Sequence, residues 1–98
     1  MWRGWTASEQ ADAYGRFLLA DLFPSLRTIP GFLGGDVLRR PDGHEVAFVT
    51  LTRFDSLDAV RAFAGDNYEV AALEPEALAL LSRYDHQAVH FDTVAFQA

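Results

Sequence analysis

Residues 45–65, EVAFVTLTRFDSLDAVRAFAG, decide the fold because a strand pattern runs directly into a helix pattern. The first half is rich in β-branched and aromatic residues without Gly or Pro, which predicts a strand over Glu45–Phe54. The second half changes to helical spacing, with Asp55 as the expected N-cap and Gly65 as the expected stop. We expect the rest of the chain to pack around this strand and helix.

Neither face of this predicted strand has the polar side chains that are typical of a face exposed to water. Alternation places Val46, Phe48, Thr50, Thr52 and Phe54 on one face, and Ala47, Val49, Leu51 and Arg53 on the other. The few helices of a short chain can cover only one face of a sheet. We therefore expect a second copy of the chain, or a bound apolar ligand, to cover the other face.

Two strands and two helices are predicted around this unit, with one further strand at the end. The expected elements are a strand at Trp2–Trp5, a helix capped by Thr6 that ends near Phe23 before Pro24, a strand at Leu33–Arg40, a short helix at 74–81 and a strand at about His86–Val94. This order predicts one α+β domain over residues 1–98 with a ferredoxin-like βαββαβ arrangement. Its four-stranded antiparallel sheet would carry both main helices on one face, and a two-fold homodimer is the simplest cover for the open sheet face.

Composition excludes several classes of function. The net charge is −6 with only 8 Lys and Arg, which argues against nucleic acid or an anionic membrane surface as a partner. The absence of cysteine removes disulfides, thiolate nucleophiles and thiolate metal sites. No apolar run reaches the roughly 18 residues of a membrane helix. We therefore expect a cytoplasmic protein.

Four stretches of the chain resemble the antibiotic biosynthesis monooxygenase-like family of small dimeric α+β barrels. They are ADAYGRFLLADLFPSL (11–26), PGFLGGDVLRR (30–40), the run at 45–65 and AVHFDTV (88–94). The resemblance implies a barrel shared by two chains, a cavity between sheet and helices, and cofactor-independent oxidation of an aromatic or phenolic small molecule. It also implies an alternative, since some relatives bind or degrade haem. The family's catalytic Asn and Trp have no counterpart here, where the only asparagine is Asn67 and the helix carries Phe63, so a non-catalytic metabolite-binding dimer is a third hypothesis.

Two residues of the predicted last strand are candidates for catalysis. Parity places His90 and Asp92 on the face opposite Val89 and Phe91, where the imidazole could take a proton from a phenol. The alternative is an interfacial hydrogen-bonding role for His90. His86 and His90 would lie about 13 Å apart on a strand, which is too far to chelate one ion, so we predict no metal site.

Five side chains are candidates for binding an apolar aromatic molecule. Trp5 and Tyr68 each carry a polar atom at the end of an element, which is typical of a cavity rim. Phe48 and Phe63 could line the same cavity, although ordinary core packing is the favoured interpretation of both. Arg39 could bind a phenolate, or form an interchain ion pair. Haem, the alternative cofactor, would need a histidine, and only His44, His86 and His90 exist.

Overall fold

The computed structural model describes residues 1–98 and shows an α+β fold with a four-stranded antiparallel sheet in the order β2-β3-β1-β4. The strands are β1 (Trp2–Ala7), β2 (Phe32–Asp42), β3 (Glu45–Phe54) and β4 (Arg83–Tyr84). The helices are α1 (Ala11–Phe17), α2 (Phe23–Leu26), α3 (Leu57–Ala64) and α4 (Pro75–Leu80), with a 3-10 turn at Ser8–Gln10 and a π-helical turn at Leu18–Leu22. The predicted α+β class and antiparallel sheet are confirmed, and the strand order is compatible with a ferredoxin-like arrangement. No helix is both long and hydrophobic enough to cross a lipid bilayer.

The hairpin of β2 and β3 forms the longest pairing of the sheet. A register shift between Phe32 and Gly34 interrupts the pairing at the start of β2. A Cβ atom on Gly35 would lie 2.5 Å from the Leu51 carbonyl oxygen, which explains the glycine there. The strand continues through Pro41 to Asp42, past its predicted end at Arg40, because β2 is an edge strand and proline is tolerated at an edge.

Helix α3 follows β3 as predicted, but its N-cap residue differs from the predicted one. The Ser56 side chain accepts a hydrogen bond from the Ala59 backbone N–H at 3.2 Å, so Ser56 is the N-cap and the prediction of Asp55 is wrong by one residue. Gly65 ends the helix at a φ of 84°, a conformation that favours glycine.

Both predicted ends of the first helix are wrong. Thr6 is not a cap but a fully buried residue of β1, because β1 pairs with β3 as far as Ala7 and Glu45. The helical path also continues through Pro24 to Leu26. A proline ring clashes with the carbonyl four residues earlier, here that of Ala20, and the wider π-helical turn that contains Ala20 accommodates it.

The predicted strand at His86–Val94 is wrong, since β4 lies earlier and spans only Arg83–Tyr84. Residues 85–89 continue beside the N-terminal strand, where Asp85 N donates to Arg3 O at 3.0 Å and Val89 N donates to Met1 O at 2.9 Å. Residues 90–98 form no strand. A strand needs a backbone partner, and the parity argument for the last segment therefore does not apply.

The core lies between α1, α4 and one face of β3. It contains Ala11, Tyr14, Phe17, Leu18, Val46, Phe48 and Ala77. Tyr14 and Phe48 meet edge to face with ring centroids 4.9 Å apart. Helix α1 thus covers the first half of this face of β3, around Val46 and Phe48.

The opposite sheet face, here called the open face, has an apolar centre with a charged rim. Strand register places Trp5, Leu38, Ala47, Val49 and Leu51 together at this centre. Leu38 is 52% exposed, and the other four side chains are partly buried. The rim holds the ion pairs Arg3–Asp85 and Arg53–Asp36, both at 2.7 Å, and Arg83–Glu45 at 3.0 Å. No element of the chain covers the open face.

Candidate ligand-binding site

A cavity of about 840 Å³ lies beside the second half of β3, where α1 no longer covers the sheet. Twenty-two of its 31 lining residues are hydrophobic, which suits an apolar ligand of drug-like size. The walls are formed by the end of β3 at 50–56, by α3, by the segments 70–74 and 88–93, and by several residues of the first helix.

The apolar stripe of α3 forms one wall of the cavity. Leu57, Val60, Phe63 and Ala64 all line it, so the helix turns its hydrophobic side toward a hollow volume and not toward a filled core. Phe63 stacks on Phe54 with centroids 6.2 Å apart and an interplanar angle of 19°. These rings give the cavity a flat aromatic surface.

His90 and Tyr68 form a second wall. The His90 ring lies edge to face with Tyr68, with centroids 5.0 Å apart, and His90 Nε2 lies 2.8 Å from the Tyr68 carbonyl oxygen. A carbonyl oxygen can only accept, so Nε2 carries the hydrogen and Nδ1 is the free base of the neutral ring. The Arg61 guanidinium lies 5.5 Å from the centroid of the Tyr68 ring and supports it from outside.

Four of the seven predicted site residues line this cavity: Phe63, Tyr68, His90 and Asp92. His90 reaches it although the strand that was expected to carry it does not form. The Asp92 carboxylate has no hydrogen bond or ion pair with His90, and so does not orient its imidazole.

The other three predicted residues lie outside the cavity. Trp5 is on the open face, where its indole N–H donates to Asp42 at 3.0 Å and the Arg83 guanidinium lies 4.0 Å from its ring centroid. Phe48 is 1% exposed and belongs to the core, as its favoured interpretation held. Arg39 pairs with Asp12 of the same chain at 3.2 Å and lies over the Phe48 ring, so its ion pair is within one chain.

Two buried residues of the cavity that carry a hydroxyl group were not among the predicted site residues. Tyr14 belongs to the buried stripe of α1 and Thr50 to the helix-facing side of β3, and both line the cavity. Burial raises the pKa of the Tyr14 hydroxyl well above its usual value, with no charged neighbour involved. Helical spacing places Tyr14 on the buried side of α1 with Ala11, but spacing does not distinguish a filled interior from a hollow one.

The charged groups around the cavity are mainly acidic. Asp55, Glu74 and Asp92 line it together with one arginine, Arg53, which is paired with Asp36 at 2.7 Å. No group of three or more His, Asp or Glu side chains in the chain could hold a metal ion. The site therefore offers an apolar interior with the imidazole of His90, and it is also lined by the hydroxyl-bearing residues Tyr14, Thr52, Ser56, Tyr68 and Thr93.

Comparison with known proteins gives no match to a family model, to a curated protein or to a solved structure. The resemblance to the monooxygenase-like family stays a prediction that rests on the sequence stretches quoted above.

Proposed function

We propose that the chain is a dimeric member of the antibiotic biosynthesis monooxygenase-like family, and that its cavity binds a flat, apolar aromatic molecule which is oxidised by dioxygen without a cofactor. The observation that carries the proposal is the cavity of about 840 Å³ with its aromatic and aliphatic lining. A filled interior behind α3 would have left no room for such a substrate.

His90 is the proposed base. Its Nε2–H is held by the Tyr68 carbonyl oxygen, so Nδ1 is the atom that would accept a proton from a phenol or from the enol form of a ketone. The resulting anion is electron-rich and can reduce dioxygen. With anthrone as substrate, one dioxygen would convert the reacting CH₂ carbon to a carbonyl group and release one water.

Haem is a weaker alternative because the cavity lacks both a free histidine nitrogen at Nε2 for the iron and free cations for the propionates. The nitrogen His90 Nε2 is already engaged by the Tyr68 carbonyl oxygen. The haem propionates would need free cations, whereas the chain has no Lys and the one arginine of the cavity is paired. The acids around the cavity would repel them.

Dimerisation through the open face is the second part of the proposal. A patch with an apolar centre and a charged rim has the anatomy of a protein interface. The rim carries both signs of charge, which suits the same patch on both subunits of a two-fold dimer. Closure of two open faces on each other would give the barrel that the family resemblance implies. A cytoplasmic location stays a prediction from the sequence.

Oxygen uptake with anthrone tests the catalytic part. We expect uptake above the buffer rate for the wild-type protein and a fall of about 10²-fold or more for His90→Gln, since Gln can still donate to Tyr68 but cannot act as a base. His44→Gln is the matched control, because His44 is exposed and lies outside the cavity. A wild-type rate equal to buffer would remove the oxidation of this substrate.

A non-catalytic binding protein is the second candidate, favoured because no hydrogen bond joins Asp92 to His90. Tight binding of an aromatic ligand, without oxygen uptake for any phenolic or ketonic substrate, would establish it in place of the enzyme.

A further inference from the structure

Tyr14 is the deepest polar side chain that reaches the cavity. Its residue is 1% exposed, its ring lies between Phe17 and Phe48, and it lines the cavity. The packing on both sides fixes the ring, so the position of the hydroxyl at its tip is fixed as well.

The Tyr14 hydroxyl makes no hydrogen bond within the chain. Desolvation alone raises its pKa, without any hydrogen-bond contribution. The enclosed side-chain oxygens that lack a partner are those of Thr6 and Thr50, and the Tyr14 oxygen is not among them. It is therefore unpaired and keeps some accessible surface, and because Tyr14 lines the cavity, a molecule bound there can be its partner.

The charges around this hydroxyl decide what kind of partner it can take. Because the hydroxyl stays protonated across the physiological range, it is a hydrogen-bond donor. The one arginine of the cavity is neutralised by Asp36, and the remaining charged side chains are Asp55, Glu74 and Asp92. An anionic ligand would be repelled, whereas a neutral acceptor oxygen would not.

We propose that Tyr14 is a specificity-determining residue, whose hydroxyl donates to the carbonyl oxygen of an uncharged aromatic ketone bound in the cavity. This rests on the proposed function, because it names the class of aromatic molecule that the same cavity takes. A site built to hydrogen-bond an oxygen discriminates against the analogue that lacks it, since the buried donor then stays unpaired.

The test compares 9-fluorenone with fluorene, which has the same ring skeleton and a CH₂ group in place of the carbonyl. Equilibrium dialysis gives Kd for both ligands with the wild-type protein, Tyr14→Phe and Thr6→Val. We expect the ratio of the fluorene Kd to the fluorenone Kd to fall about 10-fold in Tyr14→Phe, with fluorene binding unchanged. Thr6→Val is the matched control, because it removes an enclosed hydroxyl that lies outside the cavity, and the ratio should stay at the wild-type value.

The two proposals fail in different ways. Binding of both ligands with the same Kd ratio in the wild type and Tyr14→Phe would overturn the role of Tyr14 and leave the cavity function intact. Failure of the wild-type protein to bind either ligand would overturn both. A second measurement needs no variant: the infrared C=O stretch of bound fluorenone should lie below its value in hydrocarbon solvent, and an unshifted band would also overturn the role of Tyr14.

Discussion

Replacement of Leu38 by alanine should weaken a dimer formed through the open face by an amount that follows from its exposure. Full burial of a leucine side chain stabilises by about 1.5–3 kcal/mol, and Leu38 is 52% exposed in the single chain. Covering the exposed half is then worth about 1 kcal/mol. A two-fold dimer covers Leu38 twice, so Leu38→Ala should cost about 2 kcal/mol, or roughly a 30-fold higher Kd.

Sedimentation equilibrium measures this Kd directly. We expect a wild-type particle of twice the 10.9 kDa chain mass at micromolar concentration and a shift toward single chains for Leu38→Ala. Leu38→Asp should give single chains only, because a buried unpaired carboxylate is far more costly. Leu19→Ala is the control, since Leu19 is 62% exposed in the π-helical turn, away from the open face. A monomeric wild-type protein, or an equal effect of Leu19→Ala, would refute the reasoning.

Three further predictions concern stability. Thr6→Val should raise the free energy of unfolding by about 1 kcal/mol in a urea titration, because it removes a buried hydroxyl without a partner; a loss would show that the hydroxyl is bonded. Hydrogen bonds from Ser82, the larger cause, and from Arg83 lower the pKa of the Glu45 carboxyl. The ionised Glu45 therefore stabilises the fold above the usual carboxyl pKa of 4.5, and this contribution is lost as pH falls through the lower pKa of the folded protein. Glu45→Gln should therefore lose less stability than the wild type on acidification, and parallel curves would contradict this. Burial raises the pKa of Tyr14 in the folded protein above the value of about 10 in the unfolded chain. The unfolded chain therefore loses this proton first, and the free energy of unfolding falls as pH rises above about 10. Tyr14→Phe should flatten the alkaline decline of the melting temperature, and an unchanged decline would contradict the burial of this hydroxyl.

The centre of the fold could be predicted because local and global signals agree there. The β-branched residues of 45–54 and the helical spacing of 57–64 each favour one structure, and pairing with β1 and β2 supports the same choice. Strand order followed from element order, since few topologies remain once the sequence of strands and helices is known.

The ends of elements could not be predicted because they depend on neighbours. The segment 86–94 has a strand-like composition, but its backbone pairing is confined to its first residues, with an isolated bridge between Gln87 and Val70 and a hydrogen bond from Val89 to Met1. Pro24 normally breaks a helix, and only the π-helical turn before it, a feature without a sequence signature, lets the helical path continue.

The candidate site could be predicted only in part, because residue type suggests which side chains bind a ligand but the fold decides where they point. Tyr68 was predicted as a polar aromatic residue at the end of an element and His90 as an imidazole on one face of the expected last strand, and both line the cavity. Tyr14 lies on the buried stripe of α1, and helical spacing alone does not show that it also lines the cavity. Trp5 has the amphipathic side chain expected at the rim of a cavity. It lies on the open face instead, because the pleat of β1 points its side chain away from the helices.

The most direct test of the central claim is to map where an aromatic ligand binds, by recording backbone amide chemical shifts during a titration with 9-fluorenone. Perturbations should cluster at the cavity, around Tyr14, Val60, Phe63 and the segment 88–93. Perturbations confined to the open face around Leu38, or none at saturating ligand, would contradict the claim that this cavity is the functional site.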